Sequence, residues 1–194
     1  MRGAAGAGAT GTGLRDPGQR AGSDGGATVV PGAKPVTVEH IKIHGTSLEG
    51  NLEGDAVDRD VLVFLLPSYQ KEKSRRYPVV YALHGYSMGA EQWSKEIHVP
   101  QTIEGAFARG AQEMIVVLPD SKTLHNGSMC SSSMTTGDFE DFIARDVVQH
   151  IDALYRTIAD RRSRGLVGHS MGAERRCKPR PAQRARGGWP GHTR

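Results

Sequence analysis

Four short runs of apolar residues, each without a polar face, predict buried β-strands. They are 60–66 (DVLVFLL), 78–83 (PVVYAL), 113–118 (EMIVVL) and 165–167 (GLV). A strand that is apolar on both faces is typical of a sheet with helices above and below it. A further segment, 36–43, alternates its side chains and predicts a strand with two different faces.

The spacing of apolar residues changes to four between Asp138 and Arg156. The residues that recur are Phe139, Ile143, Val147, Ile151 and Tyr155, with Phe142 and Leu154 beside them. This spacing predicts an amphipathic helix of about five turns. Asp138 and Asp141 fall in its first turn, where the helix dipole favours negative charge. Strand, helix and strand in this order predict a βαβ crossover and the α/β class.

The 194 residues divide into three zones of different composition. Residues 1–34 are rich in Gly and Ala and lack periodicity, which predicts a disordered leader; no apolar run typical of a secretory signal is visible there. Residues 35–172 hold all the predicted elements. Residues 173–194 form a basic, irregular tail with three Pro and three Gly. No run approaches the roughly 18 apolar residues of a membrane span, so none is predicted.

Charge and cysteine content add little about partners. The net charge is +4, but residues 173–194 contain six Arg and one Lys against one Glu, so the body of the chain is mildly acidic. The tail has no aromatic residue besides Trp189, so no specific nucleic-acid partner is predicted. Non-specific binding of the cationic tail to nucleic acid or anionic lipid is the alternative. The two cysteines, Cys130 and Cys177, exclude a multi-disulfide framework and a zinc site of four cysteines. Neither the compartment nor the oligomeric state follows from the sequence.

Residues Gly168 to Gly172 (GHSMG) match the pattern G-x-S-x-G directly after a predicted strand. In this context the serine lies on a tight strand-to-helix turn with its hydroxyl exposed. The glycines allow neighbouring backbone to pass closely, and the N–H of Met171 would face a developing oxyanion. Ser170 is therefore the candidate nucleophile, and the competing interpretation is a Gly-rich turn after a buried strand.

A second turn, His84-Gly85-Tyr86, follows the strand 78–83. In a sheet of this type, such a turn supplies the second oxyanion donor through a backbone N–H, and Tyr86 is the candidate. His84 is interpreted as a structural residue of the turn that, with Gly85, at most lines the site. His169 adjoins Ser170, and its side chain is expected to point away from the serine.

Four blocks in order carry a family resemblance: YPVVYALHGYS (77–87), EMIVVLPDS (113–121), residues 127–157, and SRGLVGHSMG (163–172). Together they resemble the esterase D/feruloyl esterase group of α/β-hydrolases, with antigen 85 mycolyltransferases as more distant relations. The resemblance covers about residues 35–172 and implies an incomplete α/β-hydrolase fold that extends through the nucleophile strand. It implies hydrolysis of a small carboxylic ester or thioester through an acyl-serine, without a metal or an organic cofactor.

The resemblance ends after Ser170. A serine hydroxyl needs a histidine to accept its proton and an acid to orient that histidine. The sequence after Ser170 has one Glu, Glu174, and one His, His192, neither in a suitable predicted loop. We hypothesise that the reading frame is lost near Ala173, and we expect poor solubility and negligible esterase activity. An acyltransferase of the same fold and a non-catalytic binding module remain alternatives.

His40 and His44 have a spacing that would suit a metal site on a helix. On the predicted strand they lie roughly 13 Å apart, too far to share one ion. No metal site is therefore predicted.

Overall fold

The structure, a computed structural model, describes residues 30–173. Most of the predicted leader and the tail beyond Ala173, including Glu174, Cys177 and His192, lie outside the described residues. The strands are β1 Thr37–His44, β2 Asp58–Leu65, β3 Val79–Leu83, β4 Ile115–Pro119, β5 Ser132–Ser133, β6 Gly137–Asp138 and β7 Arg164–Gly168. The helices are α1 Ala90–Glu96, α2 Val99–Ala108, α3 Phe139–Asp141 and α4 Val148–Leu154, with a π-helix at Phe142–Val147 and 3₁₀ turns at Thr46–Leu48, Arg161–Ser163 and Ser170–Ala173.

Five of the strands form one mixed sheet in the order β1-β2-β4-β3-β7. β2 is antiparallel to both of its neighbours, β1 and β4. β3 is parallel to both of its neighbours, β4 and β7. The carboxyl ends of β3, β4 and β7 therefore meet at one edge of the sheet. All five predicted strands are confirmed, with ends that differ by one or two residues.

Helices cover both faces of the sheet, as the doubly apolar strands predict. On one face, Val63, Tyr81 and Val117 pack in a cluster with Phe142 of the long helical segment 139–154. On the other face, Leu62, Ala82 and Val116 pack with Trp93 of α1. The second face is open at β7, where the side chain of Val167 is 52% exposed. The helices α1 and α2 were not predicted from the sequence.

The helical segment 139–154 is a single run in which a π-helix joins two α-helical pieces. In an ideal α-helix, a step of four residues overshoots a full turn by about 40°, so a strict four-residue repeat drifts around the helix. A π turn is wider and turns less per residue, which returns the repeat to the same face. All five residues of the repeat are buried. Leu154, predicted beside them, is 61% exposed, so the prediction that it lies on the buried face is wrong.

Two further findings concern the described part of the chain. No helix within residues 30–173 is long and apolar enough to cross a bilayer. Cys130, in the loop that follows β4, is buried.

Candidate active site

The candidate nucleophile, Ser170, follows β7 and begins a 3₁₀ turn. Its φ is +50°, in the left-handed region that non-glycine residues rarely adopt. Such a conformation costs about 1–3 kcal/mol and persists where the surrounding structure imposes it. Ser170 is exposed. The strand therefore ends in a sharp, strained turn that presents a serine to solvent.

The two glycines of the motif allow this turn to close. A Cβ on Gly168 would lie 2.1 Å from the carbonyl oxygen of Gly172, and a Cβ on Gly172 would lie 2.4 Å from the carbonyl oxygen of Leu83. The N–H of Gly172 donates to the carbonyl of His169 at 2.9 Å. Any larger residue at 168 or 172 would force the backbone of the turn or of β3 to move.

The turn after β3 lies directly beside Ser170. Leu83 pairs with Gly168 in the sheet, and the N–H of His169 donates to the carbonyl of Leu83 at 3.0 Å. A Cβ on Gly85 would lie 3.0 Å from Nδ1 of His169 and 3.5 Å from Cβ of Ser170. Glycine at position 85 thus lets the two turns approach to van der Waals distance.

The two residues predicted to supply oxyanion donors meet at a third glycine. A Cβ on Gly127 would lie 2.6 Å from Sδ of Met171 and 2.8 Å from Cδ2 of Tyr86. Met171 is buried, whereas Tyr86 is half-exposed and its hydroxyl donates to the carbonyl of His125 at 3.0 Å. The structure brings the two residues together around Ser170, and the role of their N–H groups stays a prediction.

His84 has the contacts of a structural residue. Its ring is 1% exposed, and Nε2 accepts the N–H of Ser121 at 2.8 Å. Nδ1 therefore carries the proton in the neutral ring and donates to the carbonyl of Gly85 at 2.8 Å. Burial lowers the pKa of His84, so the ring is neutral near pH 7. Both nitrogens are engaged within the fold and neither is available to Ser170.

The adjacent histidine is also engaged elsewhere. The ring of His169 stacks on that of Trp93, with centroids 6.2 Å apart and planes inclined by 24°. Within residues 30–173, no histidine is hydrogen-bonded to the hydroxyl of Ser170, and no group of three His, Cys, Asp or Glu residues could hold a metal ion. His44, which the sequence analysis weighed as a metal ligand, forms side-chain hydrogen bonds to Asp58 and Glu49.

Sequence reasoning missed the loop after β4, residues 120–131, which we name the β4 loop. It contributes Gly127 between Tyr86 and Met171, Ser121 to His84, and Asp120 to the start of α1. One signal was present in the sequence, since the polar pair Asp120-Ser121 ends an apolar strand at the edge where the other two turns lie.

The fold is that of the α/β-hydrolases. Residues 55–174 match the model of the family described as "Putative esterase", more than half of the chain, and the chain belongs to this family. The predicted family and fold are thereby confirmed.

Individual relatives agree with this assignment. The chain is 28% identical over 103 residues to an "Endo-1,4-beta-xylanase/feruloyl esterase" of Xylanibacter ruminicola, covering 53% of this chain and 14% of that protein. A solved "ferulic acid esterase" is 28% identical with a TM-score of 0.61, covering 71% of this chain and 50% of that one. An S-formylglutathione hydrolase from Agrobacterium tumefaciens shares the fold at 14% identity and a TM-score of 0.54, covering 72% and 50%. The chain spans about half the length of these solved structures.

Proposed function

We propose that this protein is a serine ester hydrolase in which Ser170 is the nucleophile. The observation that carries the proposal is the left-handed backbone of Ser170 at the end of β7, beside the turn of β3. Family membership supports ester hydrolysis as the reaction class.

In the proposed reaction, Oγ of Ser170 attacks the acyl carbon of the ester while a base takes its proton. The N–H groups of Tyr86 and Met171 stabilise the oxyanion of the tetrahedral intermediate. The intermediate collapses to an acyl-serine as the protonated alcohol or thiol leaves. Water then attacks the acyl carbon by the same route, releasing the acid and restoring the hydroxyl. Feruloyl esters, short acyl esters and thioesters are the substrate classes that the named relatives suggest.

Within residues 30–173, no histidine is hydrogen-bonded to the hydroxyl of Ser170 as a general base would be. Both nitrogens of His84 are engaged, and His169 stacks on Trp93. We therefore propose that the chain turns over ester slowly, and that an added base can accept the proton of Ser170. Imidazole is the natural choice because it reproduces the chemistry of the histidine ring.

The test measures hydrolysis of methyl ferulate and of phenyl acetate by chromatography, with and without imidazole. Ser170→Ala under the same conditions gives the background, and Ser74→Ala, an exposed serine, is the matched control. We expect imidazole to raise product release by the parent chain and by Ser74→Ala at least tenfold above that by Ser170→Ala, on the order of what general base catalysis supplies. Equal release by the parent and Ser170→Ala would contradict the proposal. Salt-sensitive binding to a polyanion in that case would favour a binding module.

A further inference from the structure

The turn between β3 and α1, residues 84–89, is named here the oxyanion turn because it carries Tyr86. Its first half is held by the β4 loop. The ring of His84 accepts the N–H of Ser121 at 2.8 Å, and the N–H of Ser87 donates to the carbonyl of Asn126 at 2.8 Å. His84 through its ring and Ser87 through its backbone N–H, on either side of Tyr86, are thus both bonded to one loop.

The second half of the oxyanion turn is held by a carboxylate of the same loop. Oδ2 of Asp120 accepts the N–H of Ala90, the first residue of α1, at 3.1 Å. A Cβ on Gly89 would lie 2.6 Å from the same oxygen, so glycine permits the close approach. Oδ1 of Asp120 accepts the N–H of Lys122 at 2.8 Å, which fixes the loop to the same side chain.

A buried arginine connects this carboxylate to the sheet. Arg59 of β2 is 8% exposed, and its Nη2 lies 3.1 Å from Oδ1 of Asp120. Its Nε donates to the carbonyl of Asp120 at 3.3 Å, and Nη2 also donates to the carbonyl of Lys122. The side chains of Arg59 and Asp120 are 9% and 21% exposed, and a charge pair that is largely withdrawn from water is costly to break, because the remaining charge loses its partner.

We propose that Asp120 is the positioning residue of the oxyanion site: through the β4 loop and the start of α1, its carboxylate sets the place of the Tyr86 N–H beside Ser170. The inference rests on the proposed function for its catalytic meaning. An oxyanion donor is effective only when it is held in place before the charge develops. The oxyanion turn lies outside the sheet ladder, so contacts to its flanking loop must supply that rigidity.

The substitution Asp120→Asn removes the charge and one acceptor oxygen while it keeps the volume of the side chain. The carboxylate accepts hydrogen bonds on both oxygens, from Ala90 on one and from Lys122 and Arg59 on the other. An amide of the same shape has one acceptor, so its NH₂ group must face an N–H donor in either orientation. The matched control is Asp160→Asn, in which the carboxylate accepts the N–H of Arg162 at the opposite end of β7.

The first measurement is amide hydrogen exchange of the full chain, resolved by peptide. In Asp120→Asn we expect exchange in residues 84–90 and 121–127 to be about tenfold faster, with segment 139–154 unchanged, because hydrogen bonds to a charged group are lost. Asp160→Asn should leave both peptides unchanged. Unchanged exchange in 84–90 of Asp120→Asn would overturn the proposal.

A second variant tests the same contact if Asp120→Asn does not fold. In Gly89→Ala the added methyl group separates the turn from Oδ2 of Asp120 while the charge pair with Arg59 stays intact. The same faster exchange in residues 84–90, with 139–154 protected, would support the proposal. Protection of 84–90 equal to that of the parent chain would overturn it.

The effect of Asp120 on the reactivity of Ser170 is measured by the rate at which a fluorophosphonate labels Ser170 in the presence of imidazole. We expect Asp120→Asn to lower the maximal labelling rate by about tenfold or more, and to change the half-saturating concentration less than about twofold. Equal losses in both quantities would contradict a positioning role. A parent chain that is never labelled would contradict the proposed function, and the exchange pattern would still decide whether Asp120 holds the turn.

Discussion

The interior of the sheet and its edge at the carboxyl ends of the parallel strands are built from different kinds of interaction. In the interior, apolar side chains such as Val63, Tyr81 and Phe142 pack between regular elements. At the edge, the oxyanion turn, the β4 loop and the turn at Ser170 meet through short hydrogen bonds, close glycine contacts and a positive φ.

The contrast separates the residues that hold the fold together from those that we propose act on an ester. Burial in the interior supplies the free energy that holds the fold together. Part of this free energy offsets the cost of the edge, where the backbone of Ser170 is strained and the Arg59–Asp120 pair is largely withdrawn from water. Substitutions in the interior should therefore destabilise the protein, whereas some substitutions at the edge should stabilise it and abolish the proposed esterase activity.

The largest effect is expected in the interior. Phe142→Ala removes a fully buried ring from the π-helix, so we expect the free energy of unfolding to fall by about 3–5 kcal/mol. Leu154→Ala, in the same helical segment but 61% exposed, should change it by less than about 0.5 kcal/mol. Urea unfolding measures both. Similar losses in the two variants would show that the segment does not pack as described.

An effect of opposite sign is expected at the edge. Ser170→Gly relieves the left-handed strain, so we expect the free energy of unfolding to rise by about 1 kcal/mol while labelling by a fluorophosphonate is lost. The control is Ser133→Gly in β5, where the extended backbone gives glycine no advantage and a loss of about 0.5–1 kcal/mol is expected. A Ser170→Gly protein less stable than the parent would remove the case for strain at the elbow.

The smallest effect is a pH dependence at the exposed end of β1, away from both regions. Hydrogen bonds to Glu49 and then Asp58 raise the pKa of His44 above its usual 6.5. A raised folded-state pKa means that this stabilisation is complete below the unfolded value and is lost as pH rises through the folded value. His44→Gln should therefore be destabilised relative to the parent at pH values below the usual pKa of 6.5, and should approach the parent as the pH rises through the raised folded-state pKa.

The matched control for that experiment is His40→Gln on the same strand, because its side chain bonds neither carboxylate. Urea unfolding at several pH values measures the difference. If His44→Gln differs from the parent equally at all pH values, the ion pairs with Glu49 and Asp58 do not contribute.

The interior could be predicted from the sequence because buried strands and helices place apolar residues at regular spacing along the chain. Apolar runs indicated the strands, and the repeat from Phe139 to Tyr155 indicated the long helix, although its π-helix appeared only in the structure. The motifs around Ser170 and Gly85 could also be recognised, since a tight turn requires glycine at fixed spacing. What they could not predict was which loop supports them.

The β4 loop was missed because its function depends on contacts distant in sequence. Asp120 bonds Arg59, 61 positions earlier, and Ala90, 30 positions earlier. Gly127 matters only because the sheet brings Tyr86 and Met171 to either side of it. No local pattern records such a meeting, so a polar residue at the end of a strand was the only trace.

We propose that Ser170 is the reactive serine of a site formed by the turn at Ser170, the oxyanion turn and the β4 loop. The most direct test treats the full chain with a fluorophosphonate in the presence of imidazole, digests it and locates the label by mass spectrometry. We expect one label, on the peptide that contains Ser170, and none in Ser170→Ala. A label spread over several serines, or retained in Ser170→Ala, would contradict it.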